Sequence, residues 1–185
     1  MLYTRKGDDG KTGMFHSKNG KRVSKSSCQT ESLGALDELN SFLGLVKVKA
    51  GDSDISLKDR LLVEWIHWIQ DDLFIIQAEV AGADKRISKK KIDEMEKAIE
   101  AVEKELPPIR SFLISGGTEL TALLDISRTL ARKVERVIIG ASEKEEILID
   151  QNTLIFLNRL SSLLYAFTRL VNHRRGISEI PPCYN

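Results

Sequence analysis

Apolar residues recur every three or four positions through most of the chain beyond residue 28, in long segments that short polar breaks separate. Leu36, Leu39, Leu43 and Val46 show this spacing in the first segment. No alternation of apolar and polar residues persists for more than a few positions. Because a three-four spacing places apolar side chains on one face of an α-helix, the body of the chain is predicted to be all-helical.

The polar breaks divide this body into five predicted helices, at about residues 30–49, 56–83, 88–105, 116–139 and 152–172. Ser88 is suited to cap the third helix, whose seam of Ile92, Met95, Ile99 and Val102 is narrow enough to predict a position on the outside. Five such segments joined by short loops predict an antiparallel five-helix bundle over residues 28–175. Residues 176–185 form a tail that can only dock or fray.

Length and composition fit one domain, residues 1–185: the chain is 42% hydrophobic and 30% charged. It has no run of about 18 apolar residues, so no membrane span is predicted, and its first residues do not resemble a signal peptide. Cys28 and Cys183 match no metal spacing and no small disulfide framework. We therefore expect a reducing compartment, the cytoplasm.

The N-terminal 27 residues carry a net charge of +5, from seven Lys or Arg against Asp8 and Asp9. Such a stretch suits a nucleic-acid arm, a solvated tail or a loop that binds a compact polyanion such as a triphosphate. Nucleic acid is disfavoured because few aromatic residues interrupt the stretch and the rest of the chain is acidic. The glycines and hydroxyls of TRKGDDGKT suit phosphate binding, but Arg5 stands where a Walker A loop needs glycine.

The fourth predicted helix carries Arg128, Arg132 and Glu135 on a polar strip beside its apolar stripe. The alternative is an ordinary solvated face with one ion pair, worth a few tenths of a kcal/mol. Asn158 is predicted on the inward side of the fifth helix, where a buried amide needs partners. Asp37 and Asn40 lie close to the apolar stripe of the first helix. A carboxylate there needs a cation, for which Arg128 is a candidate.

Glu64 and His67 have the Glu-x-x-His spacing of di-iron bundles. A di-iron site needs that motif twice with two further glutamates, and the chain has three histidines in all. A structural or surface role for His67 is therefore favoured over a ferritin-like oxidase.

Four segments together resemble the PduO-type ATP:cob(I)alamin (corrinoid) adenosyltransferases, in order and spacing: YTRKGDDGKTGMF, ESLGALDELNSFLG, FLISGGTELTALLDISRTLARKVER and LIFLNRLSSLLYAFTRLVN. The resemblance covers nearly the whole chain. It implies a ferritin-like homotrimer of five-helix bundles that transfers the 5′-deoxyadenosyl group of ATP to cobalt(I), giving adenosylcobalamin and triphosphate.

The resemblance also implies site residues. ATP, with Mg²⁺ on its phosphates, would bind between the N-terminal loop of one subunit and the fourth and fifth helices of another. Its implied contacts are Thr4, Arg5, Lys6, Gly7, Asp8, Gly10, Thr12, Gly13, Lys25, Arg128, Arg132, Glu135, Arg136 and Asn158. Asp37 and Arg128 correspond to an intersubunit ion pair. Phe112 corresponds to an aromatic residue at the corrin ring, which gives it a catalytic role beside Arg132 and Asn158. The implied partners are a flavoprotein reductase and a cobalamin-dependent mutase or dehydratase.

The sequence departs from the family pattern at Ser115, Asp125, Ser162 and Leu33. The first three leave open a second hypothesis, a trimeric ATP- or corrinoid-binding protein that delivers cofactor or senses nucleotide without turnover. A third hypothesis is a purely structural bundle, which would bind no ligand.

Overall fold

The computed structural model describes residue 3, residues 5–14 and residues 22–184. Five helices make up the body: α1 (Cys28–Gly51), α2 (Leu62–Val80), α3 (Lys89–Glu105), α4 (Glu119–Glu143) and α5 (Gln151–Arg174). Two short antiparallel hairpins accompany them. Strand β1 (Lys11–Gly13) pairs with β2 (Arg22–Ser24), and β3 (Ser56–Leu57) pairs with β4 (Arg60–Leu61).

The helices pack as the predicted five-helix bundle. Helix α4 lies between α1 and α5, α2 packs on α1, and α3 packs on α5. Two ion pairs show that α1 and α4 run antiparallel, because Lys133 contacts Glu38 at 2.6 Å while Lys49 contacts Glu119 at 3.0 Å. The fold class expected from periodicity is confirmed.

Local side-chain chemistry sets where helices begin. Ser27 and Thr118 are N-caps whose hydroxyls accept hydrogen bonds from the backbone N–H of Thr30 and Thr121, three residues on. Helix α4 begins at Glu119, later than predicted, because Gly116 and Gly117 have φ of 116° and 128° and cannot belong to a right-handed helix.

The predicted start of the second helix at residue 56 is wrong. Residues 56–61 form the β3–β4 hairpin, with Lys58 and Asp59 at φ of 53° and 60° in its turn. Helix α2 begins only at Leu62, and the Glu64 carboxylate accepts the Leu61 N–H at 2.8 Å. Glu64 is thus a helix-capping residue, and His67 is exposed beside Asp71. The ligands of a di-iron site project into the bundle core, whereas Glu64 caps the start of α2 and His67 is exposed.

The core follows the predicted stripes, with Leu36, Leu39, Leu43 and Val46 fully buried. Aromatic rings join α2 to α5, since the Trp65 and Phe167 centroids lie 6.0 Å apart. Helix α3 buries its narrow seam as predicted, except that Ala98 is buried where Ile99 is only partly so. Its other faces are charged and outside.

Helix α5 is the one described helix long and apolar enough to cross a membrane by length and hydropathy, at 24 residues. Within the bundle, however, 67% of its most apolar window is buried. A central helix of a helical bundle has this composition because it packs against neighbours on several sides. Packing in the bundle core therefore explains the high hydropathy of α5.

The carboxylates of Glu79 and Asp72 on α2 lie inside the bundle. Glu79 accepts hydrogen bonds at 2.6 Å from the Asp150 N–H and from the Thr153 hydroxyl, which fixes the start of α5. Asp72 on α2 pairs with Lys91 on α3. Burial raises the pKa of Asp72 to about 6 even though Lys91 acts in the opposite direction. The link between α2 and α3 therefore titrates above the usual carboxylate range.

Candidate active site

A cleft of about 760 Å³ opens between α4, α5, the loop before α4 and the C-terminal tail. The lining residues are Ile109, Arg110, Ser111, Phe112, Leu113, Arg128, Arg132, Ser161, Ser162, Tyr165, Pro181, Pro182 and Tyr184. The structure thereby brings Phe112, from the loop before α4, to the same concave surface as Arg128 and Arg132 of α4.

The cleft has a cationic side and an aromatic side. Arg128 and Arg132 project from α4, while Phe112 and Tyr184 are 81% and 82% exposed in the isolated chain. Tyr165 also lines the cleft, and the Arg128 guanidinium carbon is 5.7 Å from the centre of its ring. Burial raises the pKa of Tyr165, so its phenol stays neutral at physiological pH. Such a surface suits a large, partly apolar ligand with anionic or polar groups on one side.

The tail docks along the loop that carries Phe112. The Ile114 N–H donates to the Ile180 carbonyl at 2.9 Å, and Arg169 on α5 pairs with Glu179 at 3.0 Å. These contacts bring Pro181 and Tyr184 into the cleft wall.

A polar network crosses α3, α4 and α5 beside the cleft. The Asn158 amide donates to the Glu135 carboxylate at 2.8 Å and accepts from Arg159 at 2.8 Å. Arg159 in turn donates to Glu96 on α3 at 3.1 Å. The amide is therefore held in one orientation, with its NH₂ toward α4.

Asn158 is exposed, so its predicted inward position is wrong. The buried face of α5 passes through Leu157, Leu160 and Leu164. Asn158 is rotated by about 100° from Leu157 and reaches the margin where the α4 and α5 surfaces meet. Arg132 and Arg136, one turn apart on α4, are exposed along the same margin.

The N-terminal loop is folded where the structure describes it. Lys25 closes it, because its ammonium donates to the Gly7 carbonyl at 2.8 Å and its N–H donates to the Gly10 carbonyl at 2.9 Å. Arg22 contacts Asp9 at 2.9 Å. The pKa of Asp9 is lowered, first by the Lys11 N–H and then by Arg22.

The remaining loop residues of the predicted site lie on this folded loop, except one. Arg5, Lys6, Asp8, Gly10 and Gly13 are exposed, and Gly7 and Thr12 are half-buried. Arg5 and Gly10 have φ of 58° and 74°, which shape the turns. Thr4 lies outside the described residues.

Within one chain the loop and the cleft lie apart. The loop leads into α1, where the Cys28 N–H donates to Glu146 at 2.9 Å, just beyond the C-terminus of α4. Arg132 lies roughly 16 Å back along α4, at about 1.5 Å per residue. Among the described residues, the loop contributes none to the cleft.

The chain by itself does not bring Asp37 to Arg128. Asp37 is exposed on α1, whereas Arg128 uses its Nε to donate to Asp125, 3.3 Å away in the same helix. Asp125 is 6% exposed and also accepts the Gly116 N–H at 3.2 Å. The sequence alone suggested no function for Asp125, which stood out only as a departure from the family pattern.

Other residues of the cleft were also missed. Tyr165 follows Asn158 by seven positions, two helical turns, so periodicity could have placed it on the same side of α5. Arg159 lies in the polar network beside the cleft rather than in its lining, and its adjacency to Asn158 in the chain was the one available signal. Pro181 and Tyr184 carried no signal, because a tail has no periodicity from which to infer where it docks.

In the described part of the chain, no three or more His, Cys, Asp or Glu side chains are grouped so that they could hold a metal ion. Cys28 and Cys183 are both free thiols.

Comparison with known proteins gives a consistent result. A family model described as cobalamin adenosyltransferase matches residues 2–171. A corrinoid adenosyltransferase of Bacillus subtilis is 34% identical over 97% of this chain and 90% of its own length. The corrinoid adenosyltransferase PduO of Citrobacter freundii is 36% identical, and the match spans 93% of this chain but half of that protein.

The fold comparison agrees. A variant of the PduO-type ATP:corrinoid adenosyltransferase from Lactobacillus reuteri, solved with cobalamin and ATP, superposes with a TM-score of 0.85 at 26% identity. The match covers 100% of this chain and 97% of that one.

Proposed function

This chain belongs to the cobalamin adenosyltransferase family, and from that premise we propose how its own residues carry out the reaction. The chain is a transferase that moves the 5′-deoxyadenosyl group of ATP to the cobalt of cob(I)alamin, giving adenosylcobalamin and triphosphate. ATP and the corrinoid are its substrates. The observation that supports the assignment of residues is the cleft, whose lining includes Phe112 together with Arg128 and Arg132.

We assign the cleft to the corrinoid. Phe112, Tyr165 and Tyr184 offer aromatic surface to the flat apolar part of the macrocycle, and exclusion of water there disfavours a fifth ligand on cobalt(II). Reduction to cobalt(I) then becomes easier. The Phe112 ring is available for this contact because it is 81% exposed in the isolated chain.

We assign the margin between α4 and α5 to ATP. Arg132 and Arg136 supply positive charge, and the Glu135–Asn158 pair supplies an ordered donor and acceptor beside them. The described residues of the N-terminal loop add cations and backbone N–H groups suited to phosphate oxygens. Since the loop lies away from the cleft of its own chain, we propose that it closes the site of a second copy in a homotrimer.

The trimer also gives a partner to Arg128. Its Nε is engaged by Asp125, whereas neither of its terminal nitrogens donates to another described residue. The exposed Asp37 of a second copy is our proposed acceptor. This is the intersubunit ion pair that the resemblance implies.

The residue types fit the chemistry. Cobalt(I) is itself a strong nucleophile and attacks the 5′ carbon of ATP, so the protein needs no nucleophilic side chain or general base for that step. Triphosphate departs with its negative charge. Arg132 and the loop cations, fixed in place before the reaction, stabilise that charge as it develops. Mg²⁺ would be carried by the ATP phosphates and would add positive charge there.

We propose the cytoplasm as the location, in keeping with two free thiols. A flavoprotein reductase would supply the electron, and a cobalamin-dependent mutase or dehydratase would receive the product. Both are proposals from the chemistry of substrate and product.

The test is an anaerobic absorbance experiment with purified protein, Mg-ATP and chemically reduced cobalamin. We expect loss of the cob(I)alamin band, growth of adenosylcobalamin and one triphosphate per turnover. Normal ATP binding without adenosylation would support a delivery or sensor protein and overturn the transferase assignment. The absence of any ATP or corrinoid binding would support a structural bundle.

A further inference from the structure

Asp125 occupies an unusual position for a carboxylate. It lies on α4, one turn before Arg128, with its side chain only 8% exposed. A carboxylate is costly to bury unless hydrogen-bond donors or a cation compensate it. Its two donors come from α4 and from the glycine turn that follows the Phe112 loop.

One donor is Arg128 and the other is the backbone of the glycine turn before α4. Nε of Arg128 donates to Oδ1 at 3.3 Å, and the Gly116 N–H donates to Oδ2 at 3.2 Å. Each carboxylate oxygen thus accepts a hydrogen bond from a different structural element, Oδ1 from α4 and Oδ2 from the glycine turn. The glycine turn follows directly on the loop that carries Phe112, so Asp125 joins the cationic side of the cleft to its aromatic side.

We call the two hydrogen bonds of Asp125, to Arg128 and to Gly116, the tether. Further contacts extend it on both sides. The Gly116 carbonyl accepts from the Asn172 amide at 3.3 Å, which ties the turn to α5. On the other side, Tyr165 supports the Arg128 guanidinium at 5.7 Å. Because Nε is already engaged, rotation of the guanidinium is restricted and its terminal nitrogens keep one direction.

We propose that Asp125 is a positioning residue of this cleft. It sets Arg128 and the Phe112 loop relative to each other before the corrinoid binds, so that binding does not have to order them. This inference rests on the proposed assignment of the cleft to the corrinoid. It predicts a larger effect on the corrinoid than on ATP, because the proposed ATP contacts other than Arg128 lie farther along α4, on α5 and on the N-terminal loop.

Asp125→Asn is the informative change because it preserves size. An amide has one acceptor oxygen and one NH₂ group. In either orientation, the NH₂ group would face one of the two N–H donors, so one of the two hydrogen bonds of the tether must break. We expect the Kd for cob(II)alamin and the KM for cob(I)alamin to rise about tenfold, as for loss of one charge-assisted hydrogen bond. The Kd for ATP should change much less, within about twofold, because its proposed contacts other than Arg128 are untouched.

Asp93→Asn is the matched control. Asp93 contacts Lys89 at 2.8 Å on the outer helix α3, so the same substitution removes an ion pair that is not part of the cleft lining. It should leave both constants unchanged. Unchanged corrinoid binding in Asp125→Asn, or equal losses for ATP and corrinoid, would overturn the proposal.

Hydrogen exchange tests the Asp125 tether independently of whether the cleft binds the corrinoid. In Asp125→Asn, the Gly116 amide should exchange faster than in the native protein and in Asp93→Asn, with or without substrate. If the native protein bound no corrinoid but the amide still lost protection, the ligand assignment would fail while the tether stood. If protection did not change, the tether itself would be refuted.

Discussion

Gly117→Ala tests whether the turn before α4 is as constrained as its geometry indicates. Gly117 has φ of 128°, a conformation that costs a residue with a side chain about 1–3 kcal/mol. A methyl group there would also clash with Oδ1 of Asn172 and would lie 3.1 Å from Cγ2 of Ile177. Asn172 is buried and cannot move aside without breaking its hydrogen bond to Gly116, a further cost of about 1–3 kcal/mol.

Substitutions at two other glycines separate the cost of backbone strain from the cost of displacing Asn172. Gly116 has φ of 116° but open space where a methyl group would lie, so Gly116→Ala should show the backbone strain alone. Gly140 lies within α4, also with open space, and Gly140→Ala should stabilise by about 0.5–1 kcal/mol. The expected total for Gly117→Ala is therefore a loss of about 2–6 kcal/mol.

The assay is urea denaturation followed by circular dichroism at one fixed protein concentration, since the stability of an oligomer depends on concentration. The order of unfolding free energies should be Gly140→Ala, native, Gly116→Ala and Gly117→Ala, from highest to lowest. Equal losses at positions 116 and 117 would refute the argument from Asn172. They would show that its side chain yields without cost.

Three further predictions follow from the site and the core. Arg132→Ala should lower turnover by about a hundredfold or more through loss of a fixed charge at the leaving triphosphate, with an unchanged circular dichroism spectrum; turnover within tenfold of native would contradict the role. Asp37→Ala should weaken the trimer by removing the acceptor for Arg128, and identical sedimentation of the variant and native protein at low concentration would exclude that ion pair. The folded protein binds the Asp72 proton more tightly than the unfolded chain does, so the stability contributed by this group is present below about pH 4 and is lost as the pH rises through about 6. Urea denaturation across that range should show the native protein losing up to about 3 kcal/mol relative to Asp72→Asn, whereas parallel pH curves would disprove the shift.

Much of the fold could be predicted because it depends on local pattern. Leu36, Leu39, Leu43 and Val46 are buried as their spacing indicated, since a helix must place such residues on one face. The hairpin at residues 56–61 could not be predicted in this way. It depends on left-handed backbone at both Lys58 and Asp59, a pair that lacks the glycine that usually signals such a hairpin turn.

For the candidate site too, some features could be predicted from local sequence pattern and others depended on packing. By itself, the sequence determined five amphipathic helices, a basic glycine-containing loop and, through resemblance, the residue types that act on ATP and corrinoid. Only the tertiary structure decided that Asn158 lies at an exposed margin, that the tail brings Tyr184 to the cleft, and that Asp125 joins Arg128 to Gly116. The physical reason is that periodicity specifies which face of one helix is buried. Which polar groups meet between elements depends on how the elements pack, through contacts between residues far apart in the chain.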